Sequence, residues 1–272
     1  MTTPGKPSPD LSSDRPAASS GPLAGRVALV TGGGRGIGAA ISSELALSGA
    51  AVVLTYRRDR TAAEALVETL TSQGASVLAV EASIEDGEAS ERAVAAAVAE
   101  FGSLGILVSN AGVASRGHAV ADTPADEVRW LLEVHAVGPH QLARAALPHL
   151  RAQDRSDVVF ISSIAASTWG VRGAPYSMGK AAVEALAHTL AREERVHGVR
   201  VNIVAPGLVD TDMGRRLARA TRDVSDIHEL DARSPFGRVC APEDVARTVR
   251  FLVGPESGYV NDQRVVVNGG TF

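Results

Sequence analysis

The stretch that decides the fold is Thr31-Gly32-Gly33-Gly34-Arg35-Gly36-Ile37-Gly38, which directly follows the apolar run Val27-Ala28-Leu29-Val30. The apolar run has the composition of a buried strand, and a helical pattern begins at Gly36. Glycines here permit a tight turn and let the backbone approach a phosphate, while the helix N-terminus offers free N–H groups. We interpret the stretch as a pyrophosphate-binding loop, and the alternative is a glycine-rich turn without a ligand. Its candidate contacts are Gly32, Gly34, Arg35, Gly36, Ile37 and Gly38.

Short apolar runs alternate with amphipathic helical stretches along the rest of the chain. The runs are continuously apolar, which is typical of strands buried on both faces of a parallel sheet. This alternation, without a linker, predicts one α/β domain with a doubly wound parallel sheet and helices on both faces. The predicted strands are 27–30, 51–56, 76–81, 105–109, 157–162, 199–204 and 264–267, and the predicted helices are 36–48, 60–73, 86–100, 124–152, 175–197 and 242–253.

The bulk composition is that of a globular protein and argues against several functional classes. Of the 272 residues, 45% are hydrophobic and 21% are charged, and the net charge of −4 gives no sign of nucleic-acid binding. No apolar run approaches the roughly 18 residues that span a membrane, and the N-terminus lacks the apolar core of a signal peptide. Cys240 is the only cysteine, so no internal disulfide can form, and a cytoplasmic location is expected.

The first 23 residues differ from the rest of the chain. Prolines lie there among serine, threonine, aspartate and glycine, with almost no apolar side chains. Such a segment buries too little surface to offset its ordering entropy. We therefore predict a disordered tail over residues 1–23, with docking of a partner as the alternative, and a single domain over residues 24–272.

The end of the second predicted strand bears on the choice of dinucleotide. An acidic residue there would bind the ribose 2′-hydroxyl of NAD, but the chain has Tyr56-Arg57-Arg58. Arg57 can form a charge-assisted pair with a 2′-phosphate, and Arg35 can approach the same group from the glycine loop. The residues favour NADP(H), and the alternative is a pair of solvated surface arginines.

A second pattern concerns proton transfer. Tyr176 and Lys180 are four residues apart on a predicted helix, so they lie on one face. A tyrosine has an ordinary pKa near 10, and a neighbouring lysine ammonium favours the phenolate. Ser163 follows a predicted strand, and its hydroxyl can bond a substrate oxygen. Together the three side chains indicate acid–base chemistry on a carbonyl or an alcohol.

These features together resemble the short-chain dehydrogenase/reductase family from about Arg26 to the C-terminus. Further matches are Asn110-Ala111-Gly112, Pro206-Gly207 with Thr211, and Asn268-Gly269-Gly270. The resemblance implies a Rossmann fold in which Tyr176 is the general acid or base. It also implies that Lys180 lowers the pKa of Tyr176 and holds the nicotinamide ribose, and that Ser163 orients the reacting oxygen.

The resemblance further implies where the cofactor lies. Asn110, Ala111 and Gly112 would form the floor of the cofactor cleft. Pro206 and Gly207 would border the nicotinamide, with Thr211 near its carboxamide. No metal ligand is assigned. Relatives of this kind are usually homotetramers or homodimers, so such an assembly is expected.

Several positions depart from the family pattern. His135 stands where the family usually has an Asn that supports a helix distortion and a proton relay. It is interpreted as a replacement relay member that titrates near neutrality. The alternatives are a bulky residue that fills the gap or a residue that impairs oxidoreductase activity. Ser83 replaces an Asp that contacts the adenine, so a weaker contact is expected there. Gly105, Ser109 and Asp262 also differ from the pattern.

The expected substrate is a small ketone or secondary alcohol, free or bound to a carrier. The pattern favours a carbonyl reductase similar to 3-oxoacyl-carrier-protein reductases and secondary-metabolite ketoreductases. The alternatives are an alcohol or sugar dehydrogenase that works oxidatively, and a cofactor-binding protein with a non-redox role. Expected pocket residues are Arg116, His118, Trp169 and Arg172, with a charged lid from Met213 to Asp231.

Overall fold

The computed structural model describes residues 20–271, in which seven strands pair in parallel into one sheet. The strands are β1 (Val27–Val30), β2 (Ala51–Tyr56), β3 (Val77–Glu81), β4 (Ile106–Ser109), β5 (Ser156–Ile161), β6 (Val199–Pro206) and β7 (Arg264–Val267). Their order is β3-β2-β1-β4-β5-β6-β7, so the direction of winding reverses between β1 and β4. This confirms the predicted doubly wound sheet. A ligand cleft is expected at such a reversal, beyond the carboxyl ends of the strands.

Helices cover both faces of the sheet. The longer ones are α1 (Gly36–Leu47), α2 (Arg60–Ser72), α3 (Gly87–Phe101), α4 (Ala125–Leu132), α5 (Gly138–Arg151), α7 (Ala174–Glu194), α8 (Asp212–Thr221) and α9 (Pro242–Val253), and α6 (Ala165–Thr168) is a single turn. One core cluster joins the sheet to α3, α5 and α7 around Phe160 and Leu142. A second joins the opposite face to α1 and α9 around Ile41 and Val249. The five inner strands are therefore buried on both faces, while the edge strands β3 and β7 are only partly buried.

The long helix predicted over 124–152 is interrupted. Residues Glu133–Val137 form a π-helical turn between α4 and α5, and His135 lies within it. A π-turn adds one residue to a helical turn, and such turns occur frequently at functional sites. The amphipathic pattern of the sequence continues through this turn, so periodicity alone did not reveal it.

Residues 1–19 of the predicted tail lie outside the described part of the chain. Leu23, the last residue of that predicted tail, is fully buried, and its amide donates to the carbonyl of Ser48 at 2.9 Å. The folded region therefore starts before residue 24. Within residues 20–271, none of the helices combines the length and the apolar character that crossing a bilayer requires.

Candidate active site

The glycine loop between β1 and α1 has the backbone that a phosphate-binding turn requires. Gly36 has a φ of +53°, in the left-handed region that favours glycine. A side chain on Gly38 would collide with the carbonyl oxygen of Gly32. The loop can close on itself only because both positions lack a side chain. Of the other predicted contacts in the loop, Ile37 is partly buried and Arg35 is exposed.

A threonine connects this loop to the end of β4. The Thr31 hydroxyl accepts from the backbone amides of Asn110 and Ala111, both at 3.0 Å. The side-chain amide of Asn110 donates back to the Thr31 carbonyl at 2.9 Å. Asn110 thus holds the two loops on either side of the winding reversal together. Thr31 was not predicted as a site residue, although its place directly after β1 was the available signal.

The segment after β6 approaches the glycine loop from the opposite side of the cleft. The Gly207 amide donates to the Val267 carbonyl at 3.0 Å, and the Pro206 carbonyl accepts from the Ile164 amide at 3.0 Å. Thr211 caps the N-terminus of α8 by accepting from the Gly214 amide. A Cβ on Gly36 would lie 3.4 Å from the Thr211 methyl group. The structure therefore brings these predicted cofactor residues to one cleft.

The predicted 2′-phosphate residue Arg57 already has an acidic partner. One of its terminal nitrogens lies 2.9 Å from Glu85 Oε2, which also accepts from the Ser83 hydroxyl at 2.9 Å. The other carboxylate oxygen accepts from the indole N–H of Trp130 at 2.5 Å. These hydrogen bonds lower the pKa of Glu85 against the opposing effect of burial. Glu85 was not foreseen, because the pairing depends on a contact between separate loops.

The neighbours of Arg57 differ in exposure. Arg58 is exposed like Arg57 itself, so both side chains are accessible to a ligand. Tyr56, a predicted cofactor contact, is only 8% exposed and packs with Leu54 and Ala63. The structure thus places Tyr56 in a small core cluster at the end of β2.

The three predicted catalytic side chains converge at the carboxyl end of β5. Lys180, 5% exposed, donates to the Ile161 carbonyl at 2.8 Å, and its Nζ lies 5.7 Å from the centre of the Tyr176 ring. The Ser163 hydroxyl accepts from the Ala165 amide at 3.1 Å and lies close enough to Tyr176 to affect the pKa of its phenol. Tyr176 and Ser163 are both partly exposed. A hydroxyl pair open to the cleft can bond one substrate oxygen from two sides.

Burial dominates the proton affinities in this cluster. It raises the pKa of Tyr176, and the hydrogen bond with Ser163 opposes that rise. Burial also lowers the pKa of Lys180 to about 8, while the nearby Glu184 carboxylate raises it. The expected lowering of the Tyr176 pKa by Lys180 is thus not the largest effect, because burial disfavours the phenolate more strongly.

His135 packs edge-on against the Tyr176 ring. The ring centres are 5.3 Å apart with an interplanar angle of 89°, and the imidazole is 2% exposed. Its Nε2 lies 2.8 Å from the Val113 carbonyl, which can only accept, so Nε2 donates and Nδ1 remains an acceptor. A Cβ on Gly112 or Gly179 would lie within 3.0 Å of His135. The imidazole therefore fills a close-fitting gap beside Tyr176.

The imidazole of His135 does not titrate near neutrality. Burial first, and the positive charge of Lys180 second, lower the pKa of His135 to about 3. The side chain is therefore neutral at physiological pH. It differs in this from the expected relay residue that changes charge near pH 7, because burial in the π-helical turn disfavours the charged imidazole and the positive charge of Lys180 adds to that effect.

The expected substrate side of the cleft is lined by less buried segments. Within residues 20–271, Trp169 and Phe236 are among the most exposed large apolar side chains, at 73% and 90%. His118 pairs with the buried carboxylate of Glu127 at 3.2 Å, and that carboxylate also accepts from the Arg116 amide. The α8 segment of the predicted lid buries Gly214 and Ala218, while its arginines Arg215, Arg216 and Arg219 are exposed.

Taken together, the sheet topology, the glycine loop and the Ser–Tyr–Lys cluster define a class of dinucleotide-dependent oxidoreductases. A family model described as enoyl-(acyl carrier protein) reductase matches residues 32–271. The chain belongs to the short-chain dehydrogenase/reductase family.

Individual relatives cover nearly the whole chain. It is 39% identical to a versicolorin reductase of Emericella nidulans over 258 residues, which are 92% of this chain and 97% of the relative. It is 36% identical to human dehydrogenase/reductase SDR family member 4 over 250 residues, which cover 92% of this chain and 88% of the human protein. The crystal structure of a short-chain dehydrogenase from Burkholderia cenocepacia in complex with NADP has a TM-score of 0.82 at 34% identity, covering 91% of this chain and 98% of that chain.

Proposed function

We propose that this oxidoreductase is an NADPH-dependent ketone reductase that acts on a secondary metabolite or a 3-oxoacyl group, free or carrier-bound. The observation that carries the proposal is the Ser163–Tyr176 hydroxyl pair, which is partly exposed beside the buried Lys180. Two relatives support it: one is named a versicolorin reductase, and one was crystallised with NADP.

The residues of the cleft fit a dinucleotide. A side chain on Gly38 would fill the turn after β1, so this position keeps the backbone accessible to a pyrophosphate. Arg57, with the adjacent Arg58 and with Arg35 of the glycine loop, is the proposed contact of the 2′-phosphate. Lys180 is the proposed contact of the nicotinamide ribose. A neutral or acidic residue in place of Arg57 would remove the charge complementarity to that phosphate.

The reaction needs a hydride and a proton, and NADPH supplies the hydride when it is bound. Ser163 orients the ketone oxygen by donating a hydrogen bond to it. Tyr176 donates its phenolic proton to the same oxygen as the alcohol forms, and the ammonium of Lys180 stabilises the resulting phenolate. The raised pKa of Tyr176 keeps the acid protonated at neutral pH, as the reductive direction requires.

Oxidation of NADPH with a panel of ketones tests the proposal. Replacement Tyr176→Phe keeps the ring that packs on His135 and removes only the proton donor, so we expect kcat to fall by about 10²- to 10⁴-fold. Tyr259→Phe is the matched control, because Tyr259 is fully exposed. Binding of NADPH should be retained by both variants, as judged by its fluorescence.

Three outcomes would contradict the proposal or the role that it gives to Tyr176. If wild-type protein binds NADPH but turns over no ketone, the chain is not a ketone reductase. If secondary alcohols are oxidised with NADP⁺ far more efficiently than any ketone is reduced near neutral pH, the oxidative alternative holds instead. Comparable loss of activity in Tyr176→Phe and Tyr259→Phe would remove Tyr176 from its proposed role.

A further inference from the structure

An ion pair lies behind the catalytic strand end, on the side away from the glycine loop. Arg264 of β7 donates through Nε to Glu184 Oε1 of α7 at 2.8 Å. Both side chains are largely buried, with 22% and 14% of their surfaces exposed. Neither residue has a place in the mechanism described above, and no short sequence motif connects them.

The pair is bonded directly to the strand end that carries Ser163. Glu184 Oε1 accepts from the Ser162 hydroxyl at 2.6 Å. Arg264 donates to the carbonyl oxygen of Ser163 at 3.2 Å and to the Ser167 hydroxyl at 3.2 Å. The carboxylate thus holds the residue before Ser163 through its side-chain hydroxyl, and the guanidinium holds Ser163 itself through its backbone carbonyl.

The same carboxylate belongs to the electrostatic surroundings of Lys180. Glu184 follows Lys180 by one helical turn on α7, and its charge raises the pKa of Lys180 against the effect of burial. The other charged or titratable groups around this ammonium are Tyr176 on the same helix and His135 in the π-turn. Arg264 compensates part of the Glu184 charge from β7.

We propose that Glu184 and Arg264 are positioning residues of the active site. Their ion pair fixes the strand end that presents Ser163, and the Glu184 carboxylate keeps a negative charge beside Lys180. The inference rests on the proposed function only for the roles of Ser163, Tyr176 and Lys180.

A second ion pair on the same helix provides the comparison. Glu194, at the end of α7, is paired with Arg151 at 2.6 Å and is also buried. Its partners lie on α5, and none of its hydrogen bonds within residues 20–271 goes to the segment around Ser163. An ion pair with a buried carboxylate that is only structural should therefore behave like Glu194–Arg151 when the carboxylate charge is removed.

The test is the pH profile of kcat/KM for ketone reduction in Glu184→Gln, Arg264→Gln and the control Glu194→Gln. Glutamine at 184 still accepts hydrogen bonds from Ser162 and Arg264 but lacks the charge. Loss of a negative charge favours deprotonation of both Lys180 and Tyr176. The alkaline limb should therefore move to lower pH by about half a unit to one unit. Arg264→Gln should move the limb to higher pH, and Glu194→Gln should leave it in place.

Tyr176 ionisation, followed by ultraviolet difference spectroscopy against Tyr176→Phe, is the second measurement. It needs no substrate, so it tests the positioning role even if the panel contains no ketone that is turned over. Shifts of the tyrosine pKa in opposite directions in Glu184→Gln and Arg264→Gln support the proposal. The proposal would be overturned if both variants were less active at every pH but kept the alkaline limb and the tyrosine titration of the wild type. A purely structural pair gives that result. Failure of ketone reduction in the wild type would overturn the proposed function alone.

Discussion

The strand β5 has a group of charged side chains near each of its ends, and the two groups differ in what they bond. At its amino end, Asp157 is 1% exposed and is surrounded by Arg26, Arg155 and Arg200. At its carboxyl end lie Ser163, Lys180 and the Glu184–Arg264 pair. The amino-end group is bonded within the protein, whereas the carboxyl-end group keeps hydroxyls that face the cleft.

The amino-end group closes the end of a helix. Arg26 lies 2.8 Å from Asp157 and 2.6 Å from the Val253 carbonyl, and Arg200 donates to the Leu252 carbonyl at 2.9 Å. These carbonyls belong to the last turn of α9, which has no intrahelical donors for them. The guanidinium groups therefore satisfy both the carboxylate and the helix end, and burial lowers the pKa of Arg200.

Buried charge alone therefore does not identify a functional site in this fold. Both groups are buried, but open α/β sheets bind ligands beyond the carboxyl ends of their strands, beside the winding reversal, which lies here between β1 and β4. Within residues 20–271, the Lys180 ammonium donates one hydrogen bond, to Ile161, although it has three donors. Its other N–H donors are available to a ligand.

The largest effect, a loss of stability, should come from removing the carboxylate of Asp157 at the amino end of β5. Asp157→Asn removes the carboxylate charge that Arg26, Arg155 and Arg200 share. Loss of one partner from a buried ionic group costs about 3–5 kcal/mol of unfolding free energy. Urea unfolding followed by circular dichroism measures it, and the kcat of the remaining folded enzyme should be unchanged.

Glu91→Gln is the matched control for this variant. Glu91 and Arg144 form an ion pair in which both side chains are more than half exposed. Such pairs contribute about 0–1 kcal/mol, so the control should unfold nearly like the wild type. If Asp157→Asn were equally stable but lost turnover, the division between a structural and a functional end of β5 would be wrong.

Local sequence patterns predict much of this arrangement, but they do not predict the contacts between residues that are far apart in the chain. The strands, the glycine loop and the Tyr176–Lys180 spacing were predicted because neighbouring residues determine them. The family resemblance indicated a helix distortion at His135, but the apolar pattern did not predict the π-turn, because that pattern continues through it. Arg264 lies 101 positions after Ser163, so only the pairing of β7 with β6 places it there.

A smaller effect, on binding and not on stability, is expected for Arg57→Asp. The pair of Arg57 with Glu85 is partly exposed, so its loss should change the unfolding free energy little. If Arg57 binds the 2′-phosphate, the dissociation constant of NADPH should rise about tenfold to a hundredfold, as expected for a charge-assisted hydrogen bond. That of NADH should change far less, as measured by fluorescence titration.

Arg60→Asp is the control for this comparison. Arg60 is an exposed arginine at the start of α2 whose partners are Glu64 and Glu81. The same reversal of charge there should affect NADPH and NADH equally and weakly. An equal loss of both dinucleotides in Arg57→Asp would refute the assignment of the 2′-phosphate contact while leaving ketone reduction possible.

The smallest effect is expected for His135→Asn, and it depends on pH. Because the pKa of His135 is lowered to about 3, the folded protein keeps this imidazole neutral, while the unfolded chain protonates it below about pH 6.5. Its contribution to stability is present above pH 6.5 and is lost as the pH falls towards 3. Relative to the variant, the wild type should lose about 1 kcal/mol between pH 6.5 and 5.5.

Urea unfolding at these two pH values measures the change, with the exposed His140→Asn as the control. Ketone turnover at pH 7 should stay within a few-fold of the wild type, since asparagine can also donate to the Val113 carbonyl. A severe loss of turnover together with an unchanged pH dependence of stability would show that His135 acts in catalysis and not as a neutral support for Tyr176. His135 would then belong with Lys180 among the groups that a ligand uses.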